Sequence, residues 1–224
     1  MDLVPQTSLF LGIIPALIIL YFSIKGNEGE YKEKTIFISF IIGIIIGFIS
    51  AVVRLITYIP FVLAYIIIFA FFEQLIKTII LNLGRFHEKR ETLFYGLSLG
   101  LGFGSVFTPF LIIQGSALPN NDISFMILVA IGSFGIILFH GAAGALIGYG
   151  IYKRKLLFYL FSCILIQIPF NILIDLTRFY TDKYFLLYQA GLLIFGLIVF
   201  IYNYEKIIKK FVTTRKRTRK TIKK

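Results

Sequence analysis

Seven long apolar runs constrain this chain more than any other feature of its sequence. Each run holds seventeen to twenty-six residues, and short polar connections separate them, at positions 8–24, 36–53, 59–83, 93–113, 125–150, 156–176 and 185–202. A helix of about 20 apolar residues crosses the hydrocarbon core of a bilayer, where a spanning backbone must satisfy its own hydrogen bonds. The runs therefore predict an all-α, polytopic membrane helix bundle with about seven transmembrane helices.

The composition agrees with a multi-pass protein of the cell membrane. Of 224 residues, 58% are hydrophobic and 15% charged, and the mean hydropathy is +0.88, which a soluble core of this length does not require. The single cysteine, Cys163, lies inside an apolar run and excludes a disulfide framework. The first run follows Asp2, with no basic residue before it and no A-x-A site after it, so we interpret it as a span rather than a signal peptide.

The basic residues in the connections predict the orientation of the bundle. Along the chain the connections hold three, one, three, none, three and two Lys or Arg, Arg54 being the one between the second and third runs. Because positive residues are retained on the cytoplasmic side, this alternation places the N-terminus outside and the C-terminus inside.

The net charge of +12 is concentrated at one end of the chain. Residues 205–224 contain ten Lys or Arg and one Glu. A polybasic segment directly after a membrane span is typical of binding to anionic lipid headgroups, and this local basicity argues against a nucleic-acid partner. We therefore expect one transmembrane domain at 1–204 and a basic cytoplasmic tail at 205–224.

Glycines recur every four residues in three of the runs, and they predict close helix packing. They are Gly43 and Gly47 in the second run, Gly96, Gly100 and Gly104 in the fourth, and Gly144 and Gly148 in the fifth. Such spacing gives each helix a smooth face on which another backbone can approach.

The third run contains an acid and a base, Glu73 and Lys77. At spacing i,i+4 they share one helical face in the favourable order, which allows two interpretations. One is an internal structural ion pair, and the other is a functional site, because ionisable residues inside a membrane are costly and usually functional.

Further polar residues lie at the same predicted depth. Counted from the predicted cytoplasmic ends at 1.5 Å per residue, Glu73 and His140 each lie ten residues inside their runs, and Gln167 lies eleven. Asn171 and then Asp175 follow Gln167 at four-residue steps. We expect Glu73, His140, Gln167 and Asn171 to converge on one pocket if their helices are neighbours.

Such a pocket contains groups suited to hydrolysis. A carboxylate beside an imidazole can take a proton from water, and carboxamides can stabilise an oxyanion. A catalytic zinc ion needs three protein ligands. Glu73 and His140 supply two, so zinc would also need Asp175 or an amide oxygen, and the sequence does not commit the chain to a cofactor.

These residues resemble the motifs of the PrsW family of intramembrane proteases, which are related to the CAAX-processing (CPBP) membrane proteases. The family pattern E-E-x-x-K is matched by Glu73 and Lys77, with Gln74 at the second acid. A Gly-rich stretch follows at 100–104, where the family's later Glu-Asn pair is replaced by Phe107 and Thr108. The His helix is kept as His140 followed by glycine, and H-x-x-x-N becomes Gln167 and Asn171.

The resemblance implies a bundle that cleaves or binds membrane-embedded polypeptides near the cytoplasmic face. By analogy Glu73 would activate water, His140 would assist, and Asn171 with Gln167 would bind the oxyanion. Loss of the second acid and of a histidine leaves a catalytically inactive pseudoprotease, or scaffold for partner helices, as an alternative. A small transporter is a third, since intramembrane charges also mark ion paths, but no inverted repeat is visible.

Overall fold

A computed structural model describes residues 3–57, 59, 62–84, 86, 89–116, 123–179 and 184–209. These residues form an all-α bundle, as predicted. The helices are α1 Leu3–Ile24, α2 Glu33–Thr57, α3 Leu63–Leu81, α4 Thr92–Ser105, α5 Phe107–Ser116, α6 Ile123–Tyr152, α7 Leu156–Phe179 and α8 Phe185–Asn203, and a π-helical turn, Tyr204–Lys209, extends α8.

The outer surface of the bundle is apolar, as expected for a protein surrounded by lipid. Six helical stretches within the described residues are long and apolar enough to cross a membrane, and the apolar part of α1, Phe10–Ile24, is shorter. Large aliphatic and aromatic side chains are exposed on α1, α2, α7 and α8, among them Phe22, Phe37, Phe161 and Ile198. In water such a surface would aggregate, and in a bilayer it is solvated by acyl chains.

Helix α4 occupies the centre of the bundle, and all fourteen of its residues are buried. Its glycines pack against α6, where a Cβ on Gly100 would overlap the carbonyl oxygen of His140 and a Cβ on Gly96 that of Gly144. Its opposite face packs on α2, where a Cβ on Gly43 would overlap the carbonyl oxygen of Leu99. The predicted smooth faces are therefore the surfaces along which these backbones meet.

The fourth apolar run, expected as a single span at 93–113, is one stretch long and apolar enough to cross a membrane, Thr92–Ile112, and its helix is interrupted at one residue, Val106. Helix α4 ends at Ser105, and α5 begins after Val106. Pro109 explains the position of the break, because a proline removes a backbone donor and its ring clashes with the carbonyl group four residues earlier, here that of Ser105. The break turns Phe107 and Thr108 into the first turn of a separate helix.

The structure also corrects the predicted position of Arg54, which the sequence places in the connection between the second and third runs. Helix α2 continues to Thr57, so Arg54 lies in its last turn, with 1% of its surface exposed. The proposed tail is described only as far as Lys209, where Glu205 and Lys209 form an exposed i,i+4 ion pair at 2.9 Å. The rest of the tail, and most of the loop at 114–124, lie outside the described residues.

Candidate functional site

Polar side chains from four helices meet in one cluster inside the bundle. Helix α2 contributes Ser50 and Arg54, α3 contributes Glu73, Gln74 and Lys77, α6 contributes His140, and α7 contributes Gln167, Asn171 and Asp175. Each of these residues has 2% or less of its surface exposed. The four residues expected to converge on one pocket, Glu73, His140, Gln167 and Asn171, are all members, and we call this group the polar cluster.

Glu73 lies at the centre of the polar cluster. Its Oε1 accepts a hydrogen bond from Ser50 Oγ at 3.0 Å, and its Oε2 accepts one from Gln167 Nε2. Two further cationic or imidazole nitrogens face it at 4.0 Å, Arg54 Nη1 and His140 Nε2. The carboxylate thus has donors on both oxygens, as a buried charge requires.

Lys77 does not form the direct ion pair with Glu73 that its spacing suggested. Its Nζ lies 3.2 Å from Gln74 Oε1 and 3.0 Å from His140 Nδ1, and 4.5 Å from the centre of the Phe103 ring. No N–O distance between Glu73 and Lys77 is within 4.0 Å. Gln74 and His140 accept the ammonium protons instead, and they lie between Lys77 and the rest of the cluster.

The imidazole of His140 faces Lys77 with one nitrogen and Glu73 with the other. Because the Lys77 ammonium can only donate, we assign Nδ1 of His140 as the acceptor and place the ring proton on Nε2, which faces Glu73 Oε2 at 4.0 Å. Three aromatic rings surround the imidazole: Phe103 at 4.7 Å, Phe139 at 5.4 Å and Phe107, stacked on it, at 5.5 Å between centroids.

Gln74 and Gln167 form a hydrogen-bonded amide pair between α3 and α7. Gln74 Nε2 donates to Gln167 Oε1, and Gln167 Nε2 donates to Glu73. At these two positions the chain has an amide where the PrsW pattern has an ionisable residue. These two of the departures from the pattern are therefore in direct contact, and Gln167 accepts the hydrogen bond that Gln74 donates.

Arg54 and Ser50 are the site residues that the sequence reasoning missed, and Arg54 makes the more numerous contacts. Its Nη2 lies 3.6 Å from Asp175 Oδ1, and its Nη1 lies 3.4 Å from Asn171 Oδ1 and 4.0 Å from Glu73 Oε1. The guanidinium therefore joins α2 to both α3 and α7. The signal that was available is the position of Arg54, directly after the second apolar run at 36–53, because one further helical turn would bring it into the span, where a buried base calls for an acidic partner.

Asn171 is held by Arg54 rather than by Glu73, so it reaches the cluster centre indirectly. Its Oδ1 accepts from Arg54 at 3.4 Å, whereas its Nδ2 makes no hydrogen bond. This amide group is the donor that an oxyanion role would need. In the structure it lies beside the guanidinium, one turn of α7 away from Gln167.

The polar cluster is electrically balanced and closed. Two bases, Arg54 and Lys77, match two acids, Glu73 and Asp175, in formal charge. This balance limits the cost of holding ions in a medium of low dielectric. The described residues contain no group of three His, Cys, Asp or Glu that could hold a metal ion, so Asp175 does not complete a zinc site with Glu73 and His140.

In comparisons with known proteins, no family model, curated protein or solved structure matches the chain. The chain is therefore described by what its own residues form, an all-α bundle whose helices can span a membrane and which encloses a cluster of ionised and amide side chains.

Proposed function

We propose that this chain is a PrsW-type membrane protein that binds membrane-embedded polypeptide without cleaving it. The observation that carries the proposal is the Gln74–Gln167 pair. Hydrolysis of a peptide bond needs groups that take a proton from water and deliver one to the leaving amine. Carboxamides do neither at neutral pH, and here they replace two ionisable groups of the PrsW pattern.

The surroundings of Glu73 favour the same proposal. Ser50 and Gln167 donate to its two oxygens, and the residue is completely buried. A general base must reach a water molecule that is also in contact with the substrate. Phe107, stacked on His140, fills space beside the imidazole where the PrsW pattern has a polar residue.

Proteolysis is the second candidate, and one distance favours it. His140 Nε2 and Glu73 Oε2 face each other at 4.0 Å, which a small movement would shorten to a hydrogen bond, and catalytic geometry often tightens only when substrate is bound. In that case Glu73 would activate water and His140 would assist.

A reconstituted cleavage assay separates the two candidates. The purified chain is placed in liposomes with fluorescently labelled single-span reporter helices, and energy transfer to a dye on the chain reports binding while gel analysis reports products. We expect transfer without products. Cleavage by the wild type that Glu73→Gln abolishes would establish proteolysis, and absence of both transfer and products would refute the binding proposal.

A gain-of-function variant tests the reason given for inactivity. Gln74→Glu combined with Gln167→His restores the ionisable groups of the PrsW pattern in the contact that the amides now make. If the amides are what blocks hydrolysis, this double variant acquires cleavage that depends on Glu73, whereas Gln74→Glu alone, which lacks the histidine, does not.

A further inference from the structure

The turn between α6 and α7 forms a basic cavity at one end of the bundle. The cavity is a largely open depression of about 670 Å³, and Asn82, directly after α3, is part of its lining. Arg154 and Lys155 supply its charge, and Leu157 and Phe158 are among its apolar residues. By the positive-inside rule, this turn lies on the cytoplasmic side, where the anionic lipids of a membrane are concentrated.

Hydrogen bonds within the turn satisfy three of the last carbonyl groups of α6. The amide groups of Lys153, Arg154 and Lys155 donate to the last carbonyl groups of α6, at 2.9, 3.0 and 2.9 Å. Those carbonyl oxygens would otherwise repel an anion. The side chain of Lys153 leaves the cavity and lies over the rings of Tyr149 and Tyr152, at 5.7 and 5.3 Å.

An apolar groove adjoins the basic cavity. Phe158 lines both spaces, and the groove, of about 630 Å³, continues between α6, α7 and α8 past Leu146, Ile166 and Ile198. Leu157 and Phe158 themselves are 68% and 67% exposed. The lining of the groove is mostly apolar, with Ser162, Asn203 and Lys206 among its polar members. A basic surface therefore adjoins a groove that an acyl chain can occupy.

We propose that this composite site binds one anionic phospholipid, with its phosphate between Arg154 and Lys155 and one acyl chain in the groove. Cations paired with an apolar groove match the two ends of a phospholipid, and none of the described residues that line either space is acidic. The site is separate from the polar cluster and does not depend on the proposed function.

Binding of phosphatidylglycerol to the purified full-length chain tests this site. The chain is held in phosphatidylcholine nanodiscs, and quenching or energy transfer measures uptake of fluorescent phosphatidylglycerol. With about 1 kcal/mol for each basic residue near the headgroups, replacing both Arg154→Gln and Lys155→Gln weakens uptake about thirty-fold, or about 2 kcal/mol. Lys153→Gln, the matched control in the same turn, changes it less than twofold.

Two further measurements, with a variant that fills the groove and with inorganic phosphate as a competitor, identify which part of the lipid is recognised. Ile166→Trp, which fills the groove, weakens uptake of phosphatidylglycerol, and inorganic phosphate at millimolar concentration does not displace the lipid. Displacement by phosphate alone would assign the cavity to a free anion and overturn the lipid proposal.

A second measurement keeps Arg154 and Lys155 unchanged, so it tests the site even if the double variant fails to fold. For this test the basic residues at 210–224 are replaced by glutamine, so that the tail does not contribute to binding of anionic lipid, while Arg154 and Lys155 are kept. Raising the salt concentration shortens the range of electrostatic attraction and weakens uptake of phosphatidylglycerol by this chain, but not uptake of fluorescent phosphatidylcholine. Equal affinity for the two lipids, or equal losses in Lys153→Gln and in the double variant, would refute the site.

Discussion

Replacing Arg54 by Met removes the one guanidinium that joins three helices of the polar cluster. Methionine keeps much of the volume of the side chain, so the change is mainly electrostatic. It leaves Asp175 and Glu73, which lie 3.6 and 4.0 Å from the guanidinium, as buried carboxylates without this cation. We expect this to be among the most destabilising single changes in the chain.

The expected loss of stability in Arg54→Met follows from the distances between the guanidinium and the two carboxylates. Unit charges 4 Å apart attract by about 4 kcal/mol at an effective dielectric constant of about 20, and removing the cost of burying Arg54 offsets part of this. Breaking a buried ion pair on one side typically costs about 3–5 kcal/mol. The double variant Arg54→Met/Asp175→Asn, which also removes one buried anion, should be less destabilised than Arg54→Met alone.

Equilibrium unfolding in mixed detergent micelles, followed by circular dichroism, measures these differences. Lys34→Met, which removes an exposed base at the start of α2, is the control and should change the free energy of unfolding by less than about 0.5 kcal/mol. A loss below about 1 kcal/mol for Arg54→Met, or a double variant whose loss is the sum of the two single losses, would refute the proposed role of Arg54.

Three other predictions follow from the same structure. Lys77→Met should destabilise the chain, and adding Glu73→Gln should recover part of the lost stability because it restores the charge balance of the cluster. In a double-mutant cycle we expect a coupling free energy of about 0.5–3 kcal/mol between the two positions. Strictly additive losses would argue against a shared cluster. Gly100→Ala should cost about 1–3 kcal/mol in the same unfolding assay, because its Cβ would overlap a carbonyl oxygen of α6, whereas Gly84→Ala, with no atom within 4 Å of its Cβ, should be neutral. Accessibility labelling of cysteines in oriented vesicles should find the loop at 114–124 outside and the connection between α1 and α2 inside; the reverse pattern would contradict the orientation.

The periodic features of the sequence were sufficient to predict most of the fold. Apolar length located the helices, since crossing a bilayer sets a minimum length. Four-residue glycine spacing predicted the smooth faces on which α4 meets α6 and α2 in the structure. Depth counting brought Glu73, His140 and Gln167 to one level, because the rise of a helix is constant.

The partners within the cluster could not be predicted in the same way. An apolar run read from hydropathy stops at the first charged residue, so the sequence alone places Arg54 in a loop. In the structure the helix continues for three more residues. Spacing on one helix suggested that Lys77 pairs with Glu73, but His140 and Gln74 compete for its ammonium group. These choices depend on which helices are adjacent, and a single sequence does not state that.

Water access to the polar cluster tests the central claim most directly, namely that the cluster is closed and therefore unsuited to hydrolysis. Ser50, which donates to Glu73, is replaced by cysteine in a Cys163→Ser background, and its reaction with a water-soluble methanethiosulfonate is compared with that of Lys34→Cys in the same background. A closed cluster predicts labelling about a hundred-fold slower at position 50, equivalent to an opening free energy of about 2.7 kcal/mol, and rapid labelling once detergent unfolds the chain. Equal rates at the two positions in the folded protein would show a water-filled site and contradict the account.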